Sequence, residues 1–432
     1  MPTTIRTVET DVCVVGAGLL GLVHAHEARR RGLNVVLLER DGRPRGASIL
    51  DSGHLFFSAL AAGPALDAAV LARSRWIDLL RRAGAPAQEG GTLALARRED
   101  ELDVIEAAAL DPSRRARVLT ATEAATLAAL PPDGIRGALH GTQDLQIEPR
   151  TATAALARLL ARDPGARLEW AAAVHEIEPG VVHTGSLRVR AEAIILCPGA
   201  EHVDLPRSLT ERHGDHGLVR SRTQMLRLAA PGGRRFRHTL TGGLAFVIHP
   251  GFSRQPGADA LRRRLELEKP EVIDSGINLT VTQLACGDLA VGEARTIPDV
   301  TLAPFLSEGL FRLLIDEAAE LLGFRPEVRQ RWSSTQLGAG PGDRRDFHVS
   351  APLPGVRIVH DLSGRGLALA PAQAARVLDE ALRRPSLAEL ENDDVHQFRL
   401  VDERRRVGIR GHAAAFRTRP PRTPDDAHRT PG

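Results

Sequence analysis

The glycine-rich turn at residues 16–21 constrains the fold of this chain more than any other feature. Its six residues, Gly16-Ala-Gly-Leu-Leu-Gly21, match the pattern G-x-G-x-x-G. In this pattern the first glycine permits a tight turn, and the second lets the backbone approach a pyrophosphate. The third lets a helix pack closely on a strand. The pattern predicts a dinucleotide-binding turn wherever a strand precedes it and a helix follows it.

The neighbouring residues supply that context. Apolar residues typical of buried strands occupy 11–15 and 34–38, and residues 19–31 have helical spacing. Glu39 ends the second predicted strand, where an acidic side chain accepts hydrogen bonds from the ribose hydroxyls of adenosine. Its charge disfavours the 2′-phosphate of NADP. The unit therefore predicts a dinucleotide site, and by itself it leaves both NAD and FAD open.

The rest of the chain alternates helix and strand patterns. Helices are predicted at 64–83, 99–110, 150–162 and 302–322, and strands at 93–96, 168–198 and most of 218–295, with Pro250 and Pro256 in a loop. A strand, a glycine-rich turn and a helix are predicted over 355–382. This order predicts an α/β fold (α+β overall), in which a Rossmann-like lobe is interrupted by a strand-rich substrate lobe.

The predicted domain boundaries follow from these patterns. The nucleotide-binding lobe is assigned 8–85, 146–206 and 328–383, the substrate lobe 86–145 and 207–327, and a disordered tail 384–432. The tail assignment rests on the abundance of Pro, Arg and acidic residues after residue 384 and on the lack of apolar periodicity.

Composition narrows the class of protein. The 432 residues are 43% hydrophobic and 26% charged, which is typical of a globular enzyme. The longest apolar run, 12–23, is too short to span a bilayer and follows Glu9 and Asp11 rather than a basic leader. We therefore expect a cytoplasmic protein that does not insert into membranes. Three scattered cysteines indicate neither a disulfide framework nor a metal site, and a net charge of +3 does not indicate nucleic-acid binding.

Three further segments carry a family resemblance. They are Arg40-Asp-Gly-Arg-Pro-Arg-Gly-Ala-Ser48 with Asp51-Ser-Gly-His54, Ala191-Glu-Ala-Ile-Ile-Leu-Cys-Pro-Gly199, and Leu362-Ser-Gly-Arg-Gly-Leu-Ala368. With the first glycine-rich turn, and in this order, they resemble the D-amino-acid oxidase-like (DAO) family of FAD-dependent oxidoreductases. The resemblance covers most of residues 10–382 and implies FAD as the cofactor. It also implies that the last turn directs a helix N-terminus at the flavin, where the helix dipole stabilises the reduced ring.

The glycine-rich turn and the resemblance together give a set of expected cofactor-binding residues. These are Gly16, Gly18, Gly21, Glu39, Arg40, Ala47, Ser48, Val174, Gly199, Gly364, Gly366 and Leu367.

Within the DAO family the sequence is similar to a bacterial clade proposed to oxidise aminophosphonates. The sequence departs from the clade at Ser52, at Gly292-Glu-Ala-Arg295 and at the bulky Leu367. The matching stretches are Arg45-Gly-Ala-Ser48 with Gly53, Thr142-Gln-Asp-Leu-Gln-Ile-Glu-Pro-Arg150, Gln224-Met225, residues 242–252 and Gln330-Arg-Trp332.

The implied chemistry needs orientation rather than a catalytic triad. A neutral amine gives a hydride to flavin N5, and water hydrolyses the resulting imine. An anionic substrate also needs an anchor, and arginine binds carboxylate or phosphonate through paired N–H donors. The sequence contains no tyrosine that could share this role. We predict an anion pocket of Arg222, Arg295 and His249, with ordinary ion-pair roles as the alternative, and His54 as either a proton carrier or a structural histidine.

The sequence therefore predicts an FAD-dependent amine oxidase or dehydrogenase. Its expected substrate is a small anionic amine, with an aminophosphonate as the narrower hypothesis, and its electron acceptor is oxygen or another molecule. Two alternatives stay open: a tailoring amine oxidase of a secondary-metabolite pathway, and a degenerate flavin-binding protein without turnover. The oligomeric state stays open as well.

Overall fold

The structure of the protein is a computed structural model. It describes residues 5–200, 205, 206, 209, 217–297, 305–339, 345–362 and 366–383. One compact unit spans residues 1–382, and a second unit spans residues 383–432. The predicted tail at 384–432 and the predicted cofactor residue Gly364 lie outside the described residues.

The strands and helices of the described residues are numbered in chain order. The strands are β1 (Arg6–Val15), β2 (Val35–Leu38), β3 (His54–Leu55), β4 (Thr92–Ala96), β5 (Ala116–Thr120), β6 (Gly137–Gly141), β7 (Leu145–Gln146), β8 (Ala166–Glu169), β9 (Val174–Glu178), β10 (Val181–Thr184), β11 (Leu187–Leu196), β12 (Leu218–Leu228), β13 (Thr239–Thr241), β14 (Ile277–Gln283), β15 (Leu289–Thr296), β16 (Val328–Ala339), β17 (Phe347–Ser350) and β18 (Val356–Asp361). The helices are α1 (Leu19–Arg30), α2 (Pro64–Arg82), α3 (Glu99–Ala109), α4 (Ala121–Ala128), α5 (Pro149–Ala161), α6 (Gly243–Ile248), α7 (Pro250–Ser253), α8 (Ala258–Glu268), α9 (Pro270–Asp274), α10 (Glu308–Leu322) and α11 (Gly366–Leu382).

The first sheet carries the glycine-rich turn. Its strands lie in the order β17-β18-β11-β1-β2-β8, and the hairpin β9–β10 is attached to β11. The strands β18, β11, β1, β2 and β8 are parallel, whereas β17 is antiparallel to β18. The turn after Val15 therefore leaves the sheet at the carboxyl ends of its parallel strands, where ligands of α/β proteins bind.

Both faces of this sheet are covered. Val12 and Val14 share an apolar core with α1, α2, α5 and α11. Cys13 and Val36 on the other face belong to a second cluster that includes residues of the hairpin β9–β10. Burial on both faces explains why the inner strands of this sheet consist of nearly continuous apolar residues. Along α2 the buried residues recur at helical spacing: Leu66, Ala69, Ala72, Trp76, Leu79 and Leu80.

The second sheet is almost entirely antiparallel. Its strands lie in the order β16-β12-β15-β14-β13-β4-β6-β5, with only β4 and β13 paired in parallel. A third, two-stranded sheet joins β3 to β7. The apolar core of the second lobe includes Leu226 and Leu228 of β12 together with Phe311 and Leu314 of α10. The predicted α/β fold, with a Rossmann-like lobe interrupted by a strand-rich lobe, is confirmed.

Two details differ from the sequence-based expectation. Residues 218–295 are not dominated by strands throughout, because α6, α7, α8 and α9 lie between β13 and β14. The apolar run 244–248 resembles a buried strand, and periodicity alone does not separate a short apolar strand from a buried helix. Pro250 begins α7 rather than lying in a loop, since proline suits the first position of a helix.

The lobe boundaries stay a prediction. The predicted nucleotide-binding lobe resumes at residue 328, yet β16 pairs with β12 along its length and belongs to the second sheet. β4, β5 and β6 lie in that sheet as well, inside the predicted substrate lobe.

Candidate active site

The glycine-rich turn joins β1 to α1. Gly16 has a φ of +103°, and a side chain there would place its Cβ 2.5 Å from the carbonyl oxygen of Cys197. A Cβ at Gly21 would overlap the carbonyl oxygen of Gly16. Glycine is required at both positions, because helix, turn and strand approach each other so closely.

The N-terminus of α1 is suited to a phosphate. Gly18 is the N-cap residue and has no side chain of its own to cap the helix. The Ser48 hydroxyl accepts a hydrogen bond from the Leu19 N–H at 3.0 Å, and a Cβ at Gly18 would lie 3.0 Å from the same oxygen. Small residues thus keep the start of α1 accessible, where backbone N–H groups and the helix dipole favour an anion.

Glu39 lies where the ribose of a dinucleotide is expected. Its carboxylate accepts hydrogen bonds from the Ala17 N–H at 2.7 Å and the Asp41 N–H at 3.0 Å. Each carboxylate oxygen keeps a further lone pair for a ribose hydroxyl. Val174 begins β9 close by, two residues after Ala172, whose N–H donates to the Glu39 carbonyl at 2.8 Å. The glycines, Glu39 and Ser48 together fit an adenine dinucleotide.

Three other expected cofactor residues lie around this region. Ala47 begins the 3₁₀ turn that contains Ser48. Gly199 follows β11 with a φ of +62°, a left-handed conformation that suits glycine. Arg40 follows Glu39, and its side chain is 47% exposed. The cofactor contacts of these residues stay a prediction.

The helix α11 begins at Gly366 and contains Pro371. Proline has no N–H, so the carbonyl of Leu367, four residues earlier, lacks its helical donor. Trp76 of α2 supplies a replacement: its indole N–H donates to this carbonyl at 3.1 Å. Trp76 is fully buried. A contact from the first lobe therefore supports the first turn of the helix that is expected to face the flavin.

A small cavity of about 50 Å³ lies between residues 51–56 and the second sheet. His54 stacks on Phe56 with ring centroids 4.4 Å apart, and Phe56 meets His249 edge to face at 5.1 Å. The structure therefore brings His54 and His249 to one cavity. It is lined by Asp51, Ser52, His54, Phe56, Met225, His249, Asn278, Thr280, Gly292 and Glu293.

Charges of both signs surround this cavity. Burial raises the pKa of Asp51 to about 6, with the nearby carboxylates of Glu293 and Asp361 acting in the same direction. The Gly53 N–H, 2.7 Å from the Asp51 carboxylate, and the Arg295 guanidinium oppose the rise in pKa. Burial lowers the pKa of His54 to about 3, so this imidazole is neutral at physiological pH.

Arg295 belongs to the same group of side chains. Its Nη2 donates to the Glu293 carboxylate at 2.8 Å and to the amide oxygen of Gln336 at 2.9 Å. Burial lowers the pKa of Arg295, but the stronger attraction of Glu293 leaves it raised, so the guanidinium stays charged. Arg295 is thus held beside the cavity by an ion pair.

Arg222 lies on the other face of the sheet. In the β12–β15 pairing Arg295 is opposite Thr223, whereas Arg222 is opposite Thr296. Directly paired residues share a face and neighbouring residues alternate, so Arg222 and Arg295 point to opposite sides. The Arg222 guanidinium donates to the carbonyl of Phe305 at 2.9 Å.

Gln224, two residues after Arg222, points to the same side of the sheet as Arg222. Its amide makes hydrogen bonds with the backbone of Ser307, at the start of α10. The structure therefore does not bring Arg222 together with His54, His249 and Arg295. Anion binding by any of these residues stays a prediction.

Several residues of the cavity were not among the predicted site residues. Asp51 and Glu293 were both inside quoted motifs, at the positions 51–54 and 292–295, and their carboxyl groups were a usable signal. Asn278 and Thr280 lie in β14, a strand outside the quoted motifs that gave no sign of a site. Only the pairing of β14 with β15 brings them to the cavity.

The fold and the glycine-rich turn define a dinucleotide-binding protein with a two-lobed α/β architecture. Residues 11–381 match the DAO family, described as FAD dependent oxidoreductase. The match covers most of the chain, and the protein therefore belongs to this family. It is an FAD-dependent oxidoreductase, and FAD is its cofactor.

Solved structures with low sequence identity share the fold. Glycine oxidase from Geobacillus kaustophilus is 20% identical, covers 88% of this chain and 96% of its own, and has a TM-score of 0.64. Iminodiacetate oxidase from Chelativorans sp. BNC1 is 19% identical, with coverages of 88% and 98% and a TM-score of 0.63. L-α-glycerophosphate oxidase from Mycoplasma pneumoniae, solved with FAD bound, is 18% identical, with coverages of 88% and 97% and a TM-score of 0.64.

A search of curated protein sequences found no match. Among the described residues, every helix is too short or too polar to cross a membrane.

Proposed function

We propose that the protein oxidises a small amine that also carries an acidic group, with an aminophosphonate as the narrower substrate class. The observation that carries this proposal is the pairing of opposite charges at one small cavity. Asp51 and Glu293 line it, and Arg295 lies directly beside them. Such an arrangement suits a zwitterion, because an ammonium group is stabilised by carboxylates and an oxyanion by a guanidinium.

Arg295 is the proposed anchor for the acidic group. In the described part of the chain its hydrogen bonds to Glu293 and Gln336 both come from Nη2. Nε and Nη1 therefore keep N–H donors for a carboxylate or phosphonate. Arg222 is the weaker candidate, because its side chain lies on the opposite face of β12 and donates to the Phe305 carbonyl.

Asp51, Glu293 and His54 are proposed to receive the amino group. The carboxylates attract the ammonium form, and the neutral imidazole of His54 accepts an N–H hydrogen bond from the amine. FAD, when bound, supplies the acceptor for the hydride that leaves the amine-bearing carbon, and water hydrolyses the resulting imine. The residues of the chain orient the amine and exclude water from the cavity.

The names of the similar structures support a small acidic substrate. Glycine and iminodiacetate are amines with carboxylates, and glycerophosphate carries a phosphate. The departures of this sequence at Ser52 and at residues 292–295 leave the narrower class, aminophosphonate, to experiment. The cytoplasmic location and the use of oxygen as electron acceptor stay predictions as well.

The substrate class is tested by anaerobic reduction of the flavin. Purified, FAD-loaded protein is mixed with 2-aminoethylphosphonate, its 1-hydroxy and N-methyl analogues, glycine, D-alanine and, as a control without an acidic group, ethylamine. Bleaching of the oxidised flavin band by the acidic amines but not by ethylamine is expected, and bleaching by phosphonates alone supports the narrower class. Faster bleaching by ethylamine than by every acidic amine contradicts the proposal.

The anchor is tested by substitution. Arg295→Met is expected to raise KM for an acidic amine roughly tenfold or more, since a charged hydrogen bond contributes about 1.5–3 kcal/mol. Flavin content is expected to stay normal. Arg329→Met is the matched control, because Arg329 lies on β16 of the same sheet, 49% exposed and paired with Glu327. A KM that rises in Arg222→Met but not in Arg295→Met would show that Arg222, and not Arg295, anchors the acidic group.

A further inference from the structure

His54 is linked to a buried carboxylate through one hydroxyl group. Its Nε2 lies 2.7 Å from the Thr92 Oγ1. The Thr92 side chain in turn lowers the pKa of Asp144 through a hydrogen bond. Asp144 is fully buried, and Thr92 is 1% exposed. A chain of hydrogen bonds thus runs from the cavity into the core of the protein.

Asp144 is surrounded by hydrogen-bond donors. Its carboxylate accepts from the Ser58 N–H at 2.8 Å and from the Ser58 hydroxyl at 2.7 Å. Burial raises the pKa of Asp144 to about 6 although these bonds act against the rise, so the group is ionised at neutral pH. A Cβ at Gly141 would overlap the Asp144 carboxylate and the Ser58 hydroxyl. The turn between β6 and β7 is therefore shaped to hold this carboxylate.

The direction of each hydrogen bond from Asp144 to His54 determines where the protons lie. An ionised carboxylate only accepts, so the single hydroxyl hydrogen of Thr92 points to Asp144. The Thr92 oxygen must then accept a hydrogen bond from His54, which places the imidazole proton on Nε2. Because burial keeps His54 neutral, with a pKa of about 3, its Nδ1 carries a lone pair.

The ring itself is fixed by its neighbours. The imidazole of His54 stacks on Phe56, and the His54 backbone pairs with Gln146 where β3 meets β7. Thr92 is held in β4, between β13 and β6. Rotation of the imidazole would break the bond to Thr92, so both the orientation and the tautomer of His54 are determined.

We propose that Thr92 and Asp144 are positioning residues that hold His54 in the Nε2-protonated tautomer, with Nδ1 as the hydrogen-bond acceptor for the amino group of the substrate. The role of Nδ1 toward the substrate rests on the proposed function, whereas the tautomer of His54 can be measured without any substrate. A fixed acceptor aligns the amine for loss of its α-hydride, whereas the other tautomer would present an N–H and repel the amino N–H groups.

The tautomer is tested first by nuclear magnetic resonance, on FAD-loaded protein labelled with ¹⁵N-histidine and without substrate. His54→Gln identifies the His54 signals. Wild type and Thr92→Ser are expected to carry the proton on Nε2, since both keep the hydroxyl. Asp144→Asn is expected to move the proton to Nδ1, because the amide N–H₂ donates to Thr92 and turns its hydroxyl toward His54. A wild-type His54 protonated on Nδ1 overturns the proposal.

The consequence for catalysis is tested by the rate of anaerobic flavin reduction. Thr92→Val removes the hydroxyl with little change in volume and is expected to slow reduction roughly tenfold relative to Thr92→Ser, the equivalent of one hydrogen bond. Equal rates in the two variants overturn the role of the tautomer. If no amine reduces the flavin of any variant, the proposed function fails, and the resonance experiment still decides the tautomer. If Asp144→Asn does not fold, the comparison of Thr92→Val with Thr92→Ser still tests the role of the tautomer.

Discussion

The contact between Trp76 and the helix α11 allows a quantitative test of how the cofactor lobe is stabilised. Pro371 leaves the Leu367 carbonyl without a helical donor, and the Trp76 indole N–H replaces it at 3.1 Å. Trp76→Phe removes this donor. A buried carbonyl without a donor costs about 1–3 kcal/mol, and the smaller ring adds about 1 kcal/mol or more for the cavity that it leaves.

A second substitution separates these two costs. Pro371→Ala restores a backbone N–H four residues after Leu367, so the helix supplies its own donor to this carbonyl. In the Pro371→Ala background Trp76→Phe is therefore expected to cost only the cavity, and the double-mutant cycle should give a coupling free energy of about 1–2 kcal/mol. Both substitutions lie away from the cavity beside His54, so stability is the appropriate measure.

The assay is urea unfolding followed by circular dichroism at one fixed FAD concentration. Absorbance or fluorescence of tryptophan is avoided because the substitution changes it. The free energy of unfolding is compared for wild type, both single variants and the double variant. If Trp76→Phe costs the same in both backgrounds, the hydrogen bond does not compensate for the proline, and the reasoning is refuted.

Two further predictions concern the cofactor turn and the cavity. Gly18→Ala is expected to weaken FAD binding roughly tenfold, because its Cβ would lie 3.0 Å from the Ser48 hydroxyl, and overpacking costs about 1–3 kcal/mol. FAD titration by fluorescence checks this, and Ser48→Ala in the same background should recover part of the affinity; unchanged binding by Gly18→Ala contradicts it. The rate of flavin reduction is expected to fall as the pH decreases through about 6, since burial raises the pKa values of Asp51 and Asp144 to about 6 and protonation removes their negative charge. Stopped-flow reduction across this range checks it, and a rate that increases on acidification would show that neither carboxylate is needed in its ionised form.

The local units of the fold could be predicted from the sequence. The glycine-rich turn, α1, β2 and Glu39 are neighbours in the chain, and their structure follows from steric rules that act over a few residues. The same holds for α2, α3 and α5, whose apolar spacing fixed their position to within about two residues. The short helices between β13 and β14 were missed, because a run of only five apolar residues at 244–248 has no distinguishing period.

The candidate active site was decided by the tertiary structure. His54 was singled out from its motif, but its partner Asp144 lies 90 residues further along the chain. The pairing of β3 with β7 and the turn after β6 bring them to the same region. Nothing local to either residue indicates that Thr92 of β4 lies between them.

The sequence by itself determined the local elements that bind a dinucleotide, since these depend on neighbouring residues, whereas FAD followed from the family to which residues 11–381 belong. The position of Arg295, rather than Arg222, beside the carboxylates was decided by the tertiary structure alone. Alternation along a strand defines two faces but does not say which one meets the cavity, and the irregular pairing of β12 with β15 at Gln224 and Met225 shifts that alternation by one residue. Which arginine lies beside the carboxylates therefore follows from strand register, a property of two distant segments rather than of either one.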